Sequence, residues 1–362
     1  MRLQFITAIP QDVTRGSGCF VAIRTLAEGL RSLGLEVDMV TPKLHLPVFT
    51  MERTFFNEHL TPGAFTGDVT VGFDLDGYRL AGANTSRHIA AIKGVLGDAV
   101  RFERGFTRLS MSFQAKLEKL HARRADRVIT ISRYCAERLE DLYGVRDAIV
   151  VPELIDLNAW SKVFEENPAP SDDGRFTVLC VCRFYRRKRV DVLLRAAALL
   201  AEQIPELAIR VVGGGPEASR LRSLSKKLGL ESIVKWVGDA TVEALACEYN
   251  RADAFCLPSV QEGFGIVFLE AMAAGKPIVA ARAAAVPEVV PQGILVNPDD
   301  PEALADGIAR LYSDRELRER LSALGKREVQ KYEMTRIARQ FLEAAMPTAS
   351  HEWNSRSEAL SQ

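Results

Sequence analysis

Ser259-Val260-Gln261-Glu262-Gly263-Phe264-Gly265-Ile266-Val267-Phe268-Leu269-Glu270-Ala271-Met272-Ala273-Ala274-Gly275-Lys276-Pro277 carries the decisive pattern of this chain. Two glycines close a loop, an apolar run opens a helix, and Gly-Lys-Pro turns into a strand expected at Ile278–Ala281. Gly263 and Gly265 let the backbone come close to a ligand, and the amides of the next turn point outward at a helix N-terminus, which suits phosphate. Glu262 stands before the helix and Glu270 one turn inside it, so both can reach one ligand from different ends. Carboxylates accept hydrogen bonds from ribose and hexose hydroxyls while amides hold a diphosphate. The combination suits a sugar nucleotide.

On both sides of this stretch short apolar runs alternate with helical patterns, which argues for parallel sheets with crossover helices. In the first half, strands are expected at 3–8, 37–40, 69–73, 89–92, 128–131 and 149–152, and helices at 20–33, roughly 99–122, and 133–143. Residues 41–62, with three prolines and little periodicity, read as a loop or insertion. Asn167-Pro168-Ala169-Pro170-Ser171-Asp172-Asp173-Gly174 reads as a linker. The alternation then restarts, with strands at 177–181, 209–212, 234–237, 254–257, 278–281 and 295–296. Helices are expected at 190–203, 217–228, 242–250, 266–274, 302–312, 316–330 and 335–345. The fold class is α/β, with two Rossmann-like parallel-sheet domains facing an interdomain cleft, since such sheets bind ligands at the carboxyl ends of their strands. The division is 1–156 for the first domain, 157–175 for a linker and 176–346 for the second domain. The last helix of that second domain is free to pack back on the first, and 347–362 form a loose tail.

A length of 362 residues suits two domains, and an apolar share of 47% lets each bury a core. Lys plus Arg equals Asp plus Glu at 47 each, so no global basic field favours nucleic acid, and an anion site must be local. The six cysteines show no C-x2-C and no His at ligand spacing, so no metal is expected. With no secretory leader and no long apolar span, the chain reads as cytoplasmic, with peripheral contact at the inner face of a membrane as an option. Arg101, Arg104 and Arg108 fall at i, i+3, i+7 on the helix expected there, as a solvated face or as contacts to an anionic lipid or phosphorylated acceptor.

From Glu262-Gly263-Phe264-Gly265 to Glu270-Ala271-Met272-Ala273-Ala274-Gly275-Lys276-Pro277 the chain resembles the E-x7-E signature of the family 4 retaining glycosyltransferases. The resemblance covers nearly all of the second half and is patchy in the first. It implies a GT-B type fold that moves a sugar from a nucleoside diphosphate to an acceptor with retention. Arg183-Phe184-Tyr185-Arg186-Arg187-Lys188-Arg189, five basic residues in seven after a strand, resembles the family's Arg-x4-Lys pair, onto which Arg183 and Lys188 map. Their implied role is to neutralise the departing diphosphate, so Glu262, Arg183 and Lys188 are the catalytic candidates. Thr14-Arg15-Gly16-Ser17-Gly18 matches the family's N-terminal glycine loop, and Val211-Val212-Gly213-Gly214-Gly215 its turn beside the nucleotide pocket. Lys235-Trp236-Val237-Gly238 is similar to its segment near the base. Gly16, Gly18, Gly213, Val237, Phe264, Gly265, Ile266 and Val267 thus join the donor-binding set, with Glu262 on the sugar and Glu270 on the ribose.

The chain departs from the family at Lys93, where many members have a His, and at Ala284-Ala285-Val286-Pro287-Glu288, where both glycines of a Gly-Gly-x-Pro-Glu are replaced. Lys93 and Asp74 are placed on the acceptor side. Asp74-Leu75-Asp76 also has the form of a metal–nucleotide Asp-x-Asp, a reading that two Rossmann-like halves contradict. The expected activity is hexosyl transfer from a UDP-, GDP- or ADP-linked sugar, UDP favoured, to a lipid, glycan or small-molecule acceptor, without a cofactor. A sugar phosphorylase on the same fold and a non-catalytic sugar-nucleotide-binding module are the alternatives.

Overall fold

A computed structural model describes residues 1–9, 18–44, 46, 48–83, 87–169 and 174–346. Within them the apolar runs become two six-stranded sheets. The first holds β1 (Arg2–Ile6), β2 (Glu36–Val40), β3 (Val69–Phe73), β4 (Arg87–Ile92), β5 (Arg127–Thr130) and β6 (Ile149–Val150), in the order β2-β1-β3-β4-β5-β6. The second holds β7 (Phe176–Val181), β8 (Leu207–Val212), β9 (Val234–Gly238), β10 (Ala254–Leu257), β11 (Ile278–Ala281) and β12 (Ile294–Val296), in the order β12-β11-β10-β7-β8-β9. Every pairing is parallel. Helices on both faces explain why β3, β10 and β11 are unbroken buried runs instead of alternating ones.

Strand order reverses between β1 and β3 in one sheet and between β7 and β10 in the other. Loops leaving the carboxyl ends of such neighbours splay apart and open a crevice. The basic loop follows β7 and the Glu262–Gly265 loop follows β10, so the sheet order alone puts them side by side.

The last helix, Met334–Ala345, crosses back to the first sheet. Ile337, Phe341 and Ala345 join the core of Leu3, Phe5 and Phe73, with the Phe5 and Phe341 rings 6.2 Å apart. Arg127 Nη1 donates to Ala344 O at 2.6 Å. The other core, around Leu193, Phe255 and Phe268, continues into Ile92, Val95 and Cys135 of the first domain. Apolar packing therefore joins the two domains at two places.

Two segments differ from expectation. Residues 41–62, read as a loop, contain the helix Phe49–Glu58, whose buried residues are Glu52, Arg53 and Asn57. A helix that buries its polar side has no apolar periodicity to detect. Residues 157–166, assigned to the linker, form the helix Leu157–Glu166, capped by Asp156 accepting from Ala159 N at 2.9 Å. Its Trp160 and Phe164 rings pack on Tyr249 at 6.1 and 6.3 Å, so this helix layers on the second domain. The tail 347–362 lies outside the described residues.

Candidate active site

β7 runs out into the loop Cys182–Tyr185 and the 3-10 turn Arg186–Lys188, and Val260 N donates to Arg187 O at 2.9 Å, tying this loop to the one after β10. Lys188 Nζ donates to Glu262 Oε1 at 2.5 Å, with both side chains largely buried. Two residues read separately from the sequence thus form one charge pair. Arg183 Nη1 donates to Asp239 Oδ1 at 3.2 Å, just beyond β9. Gly265 has φ +91°, and a Cβ there would stand 2.6 Å from Phe268 Cδ2, so glycine is required where the helix Ile266–Ala273 starts. The Phe268 amide turns back to Gly265 O at 2.9 Å, while the Ile266 and Val267 amides have no acceptor within the helix, and both residues line the interdomain cavity.

Glu270 lies deeper. The Tyr249 hydroxyl donates to its Oε2 at 2.9 Å, and burial pushes its carboxyl up to about 7. Gly213 has φ +113°, and a Cβ would fall 2.1 Å from Cys182 O. Its contribution is close packing that shapes the loop carrying Arg183.

The first domain supplies the opposite wall. Asp74, at the end of β3, holds φ +55°, and its Oδ1 accepts from Lys93 N at 2.8 Å. Burial pushes its carboxyl up to about 6. Lys93 Nζ, at the end of β4, donates to Glu153 Oε2 at 2.7 Å, and both are buried. Below them, His121 Nδ1 lies 2.5 Å from Asp74 O, His88 Nε2 lies 2.8 Å from His121 Nε2, and His88 Nδ1 lies 2.8 Å from Thr70 Oγ1. A carbonyl only accepts, so His121 donates from Nδ1, accepts at Nε2 from His88, and His88 accepts from the Thr70 hydroxyl. Both rings are held neutral; burial lowers His121 to about 4. Asp76 is spoken for: its carboxylate accepts from Arg53 Nε at 2.8 Å, Asn57 Nδ2 at 2.8 Å and Ala8 N at 2.8 Å. The Asp-x-Asp tripeptide therefore divides into one cleft residue and one structural anchor.

A cavity of about 290 Å³ between the domains is lined by Gly18, Asp74, Lys93, Arg183, Lys188, Glu262, Phe264, Gly265, Ile266 and Val267 among others. Glu270, Gly213 and Val237 do not line it. Gly16 lies outside the described residues. Glu153, Tyr185, Arg187 and Gln261 also line the cavity and were missed in the sequence. Glu153 had a findable signal, since it follows β6 at a strand's carboxyl end as Lys93 follows β4.

Three polar contacts close the cleft. Ser132 Oγ donates to Gly263 O at 2.8 Å, Arg187 Nη1 donates to Glu103 Oε1 at 3.1 Å, and the Glu288 carboxylate accepts from Arg133 N at 3.0 Å and Tyr134 N at 2.8 Å. Glu288 thereby caps a helix of the opposite domain, with an anion at its positive end. Ala284, which stands where a glycine was expected, keeps a left-handed φ of +51°.

The arrangement is two parallel-sheet domains with loops from both lining one interdomain cavity, and comparison with known proteins bears on what such a cavity serves. Residues 162–328 match the family model Glycosyl transferases group 1. A D-inositol 3-phosphate glycosyltransferase of Corynebacterium urealyticum is 35% identical over 184 residues, 48% of this chain and 43% of that protein. A GDP-mannose-dependent alpha-(1-6)-phosphatidylinositol monomannoside mannosyltransferase of Mycolicibacterium smegmatis is 30% identical over 213 residues, 52% of this chain and 54% of that protein. The aligned part of the chain spans about half the length of these curated relatives. The structure of sucrose-phosphate synthase from Thermosynechococcus elongatus superposes with a TM-score of 0.78 at 24% identity, covering 95% of this chain and 98% of that one. The GT-B fold follows from the two sheets and this superposition.

Proposed function

We propose that this protein is a retaining glycosyltransferase that moves a hexose from a nucleoside diphosphate sugar to an acceptor held against the first domain. The observation that carries the reading is the Lys188–Glu262 pair, set beside Arg183 and the helix start at Gly265 in one interdomain cavity. Without donor, Lys188 and Glu262 satisfy each other. An arriving diphosphate gives Lys188 a stronger anion and frees Glu262 to accept from the sugar's hydroxyls. Arg183, Lys188 and the helix amides then stabilise the leaving diphosphate as an oxocarbenium-like transition state develops.

The first-domain carboxylates are committed elsewhere, Glu153 to the Lys93 ammonium and Asp74 to the Lys93 amide. Same-face attack, with the leaving phosphate taking the acceptor proton, therefore fits better than a covalent intermediate. Lys93, fixed by Glu153, donates to a sugar or acceptor hydroxyl. UDP-sugars are the first donors to test, and GDP-mannose, named for the Mycolicibacterium relative, the second. Among the described residues no helix is long and apolar enough to cross a membrane.

Thermal shift with UDP, GDP and ADP, then NMR of the product's anomeric proton, tests the proposal, because a ligand that binds only the native state raises its melting temperature. Stabilisation by one nucleoside diphosphate and a product with the donor's anomeric configuration are expected. An inverted product removes retention; phosphate-dependent disaccharide cleavage without nucleotide indicates a phosphorylase; tight nucleotide binding with no turnover leaves a binding module.

A further inference from the structure

Away from the cleft, two neighbouring helices partition their side chains the wrong way round for water. Phe49–Glu58 buries Glu52, Arg53 and Asn57 while Phe49, Met51 and Phe55 face solvent. The helix Gly105–Arg124 buries Gln114, Glu118 and His121, and exposes Phe106 (76%), Leu109 (69%) and Phe113 (46%) at i, i+3, i+7. Thr50 Oγ1 and Ser110 Oγ, 2.7 Å apart, join the two helices, so the apolar faces form one surface. Of the fourteen exposed large apolar side chains among the described residues, eight lie between 44 and 113; single exposed apolar residues are ordinary, but a cluster on one face marks an interaction site.

The charges on this face are one-sided. From Arg104 to Arg124 the one acid is Glu118, fully buried and bonded to the Tyr143 hydroxyl at 2.6 Å, whereas Arg104, Arg108, Lys116, Arg123 and Arg124 are exposed. A chain with equal numbers of acids and bases therefore leaves this whole helix surface cationic. Beside it lies a cavity of about 580 Å³ where Arg101, Arg104 and Arg108 face Arg186, Arg189 and Arg220 of the second domain, with Glu103, Asp191 and Asp299 also in the lining. Arg189 and Arg220 are paired with acids and Arg101 with Asp98, but Arg104 and Arg108 have no acidic partner among the described residues. Arg101 sits in the 3-10 turn Val100–Phe102 and Arg104 precedes the helix, so the three arginines share a cavity instead of one helix face.

We propose that this face seats on an anionic phospholipid bilayer, its aromatic and aliphatic side chains entering the headgroup boundary and Arg104 and Arg108 taking lipid phosphates. An apolar tip ringed by arginine is the composition that binds in that plane, and each basic residue near an anionic surface adds attraction. A twofold contact between copies of this chain fits less well, because an isologous interface would oppose the same cationic rim to itself. Met111 of the same helix lines the donor cavity, so a bilayer held here lies beside the cleft. The inference does not depend on glycosyl transfer.

Co-sedimentation of the full chain with vesicles of phosphatidylcholine alone, and of phosphatidylcholine mixed with phosphatidylglycerol, tests it. The protein should sediment with the anionic vesicles, stay soluble with the neutral ones, and release as salt rises. Phe106→Ser with Leu109→Ser, and separately Arg104→Gln with Arg108→Gln, should each reduce the partition coefficient at least tenfold. Thermal melting should stay unchanged in both double variants, which separates lost docking from lost folding. Failure to sediment with anionic vesicles overturns the proposal. So does a concentration-dependent dimer that Phe106→Ser with Leu109→Ser dissolves, which assigns the face to a second copy. Stabilisation by inorganic phosphate without vesicle binding overturns it too, leaving an anion pocket only.

Discussion

The two domains share an architecture but spend their strand ends differently. At the second sheet's switch point, Lys188, Glu262 and Arg183 sit at the cavity with partners that a ligand can replace. At the first, Asp76, Arg53, Asn57, His88 and His121 are buried in a network whose polar atoms bond one another, while the charged residues Asp74, Lys93 and Glu153 line the cavity. On the proposed function, the half that takes the diphosphate needs exchangeable charge. On the same proposal, the half that holds the acceptor needs a rigid wall. The comparison teaches that similar strand ends can serve binding on one side and scaffolding on the other.

The largest effect should come from the scaffold. Arg53→Met leaves buried Asp76 with Asn57 and Ala8 N but without its cation, and should cost ~3–5 kcal/mol in urea unfolding with little selective effect on nucleotide affinity. A variant of wild-type stability would show that the first-domain network is not structural. Next comes Glu270, whose folded carboxyl at about 7 lies above its ordinary 4.5. The protonated form favours the folded chain; that contribution is complete below about 4.5 and is lost as pH rises through about 7. Glu270→Gln should therefore gain stability relative to the wild type between pH 5 and 8, by roughly 3 kcal/mol at most. A pH-independent difference would mean the carboxyl is solvated.

Glu262→Gln should lower kcat about 100-fold, ~2.7 kcal/mol, and leave nucleoside diphosphate affinity nearly intact in calorimetry, since its partner is the sugar. Equal losses of affinity and rate would dissolve the division between sugar and diphosphate contacts. Arg183→Ala and Lys188→Ala should each cost at least tenfold in kcat/KM, ~1.4 kcal/mol, together with weaker diphosphate binding. Unchanged kinetics would reduce the basic loop to solvated charge. The smallest effect concerns the left-handed Ala284, where glycine removes Cβ strain: Ala284→Gly should raise stability by about 1 kcal/mol or less in thermal melting.

Much of the second domain was legible because its chemistry and its periodicity coincide. Fully buried strands leave apolar runs, the glycine loop ends where a left-handed φ is needed at Gly265, and Arg183, Lys188 and Glu262 lie in loops that the β7–β10 order brings together. The first domain was harder to read. The helix Phe49–Glu58 escaped notice because its buried side is Glu52, Arg53 and Asn57, a pattern that hydrophobic periodicity reads inside out. Asp239 and Glu288 gave little local signal, since each acts through a partner more than fifty positions away.

Sequence by itself determined the alternation of strands and helices, the two parallel sheets, and the charged residue types of the loops after β7 and β10, because burial and backbone geometry act on near neighbours in the chain. Tertiary structure decided the rest. It paired Lys188 with Glu262, withdrew Asp76 and Gly213 into structural roles, and set Lys93 against Glu153. It also turned Phe106 and Leu109 outward beside Arg104 and Arg108. The physical reason is that charge pairing and solvent exposure depend on distances through space, which separate strand ends acquire only when the sheets have formed and the domains have met.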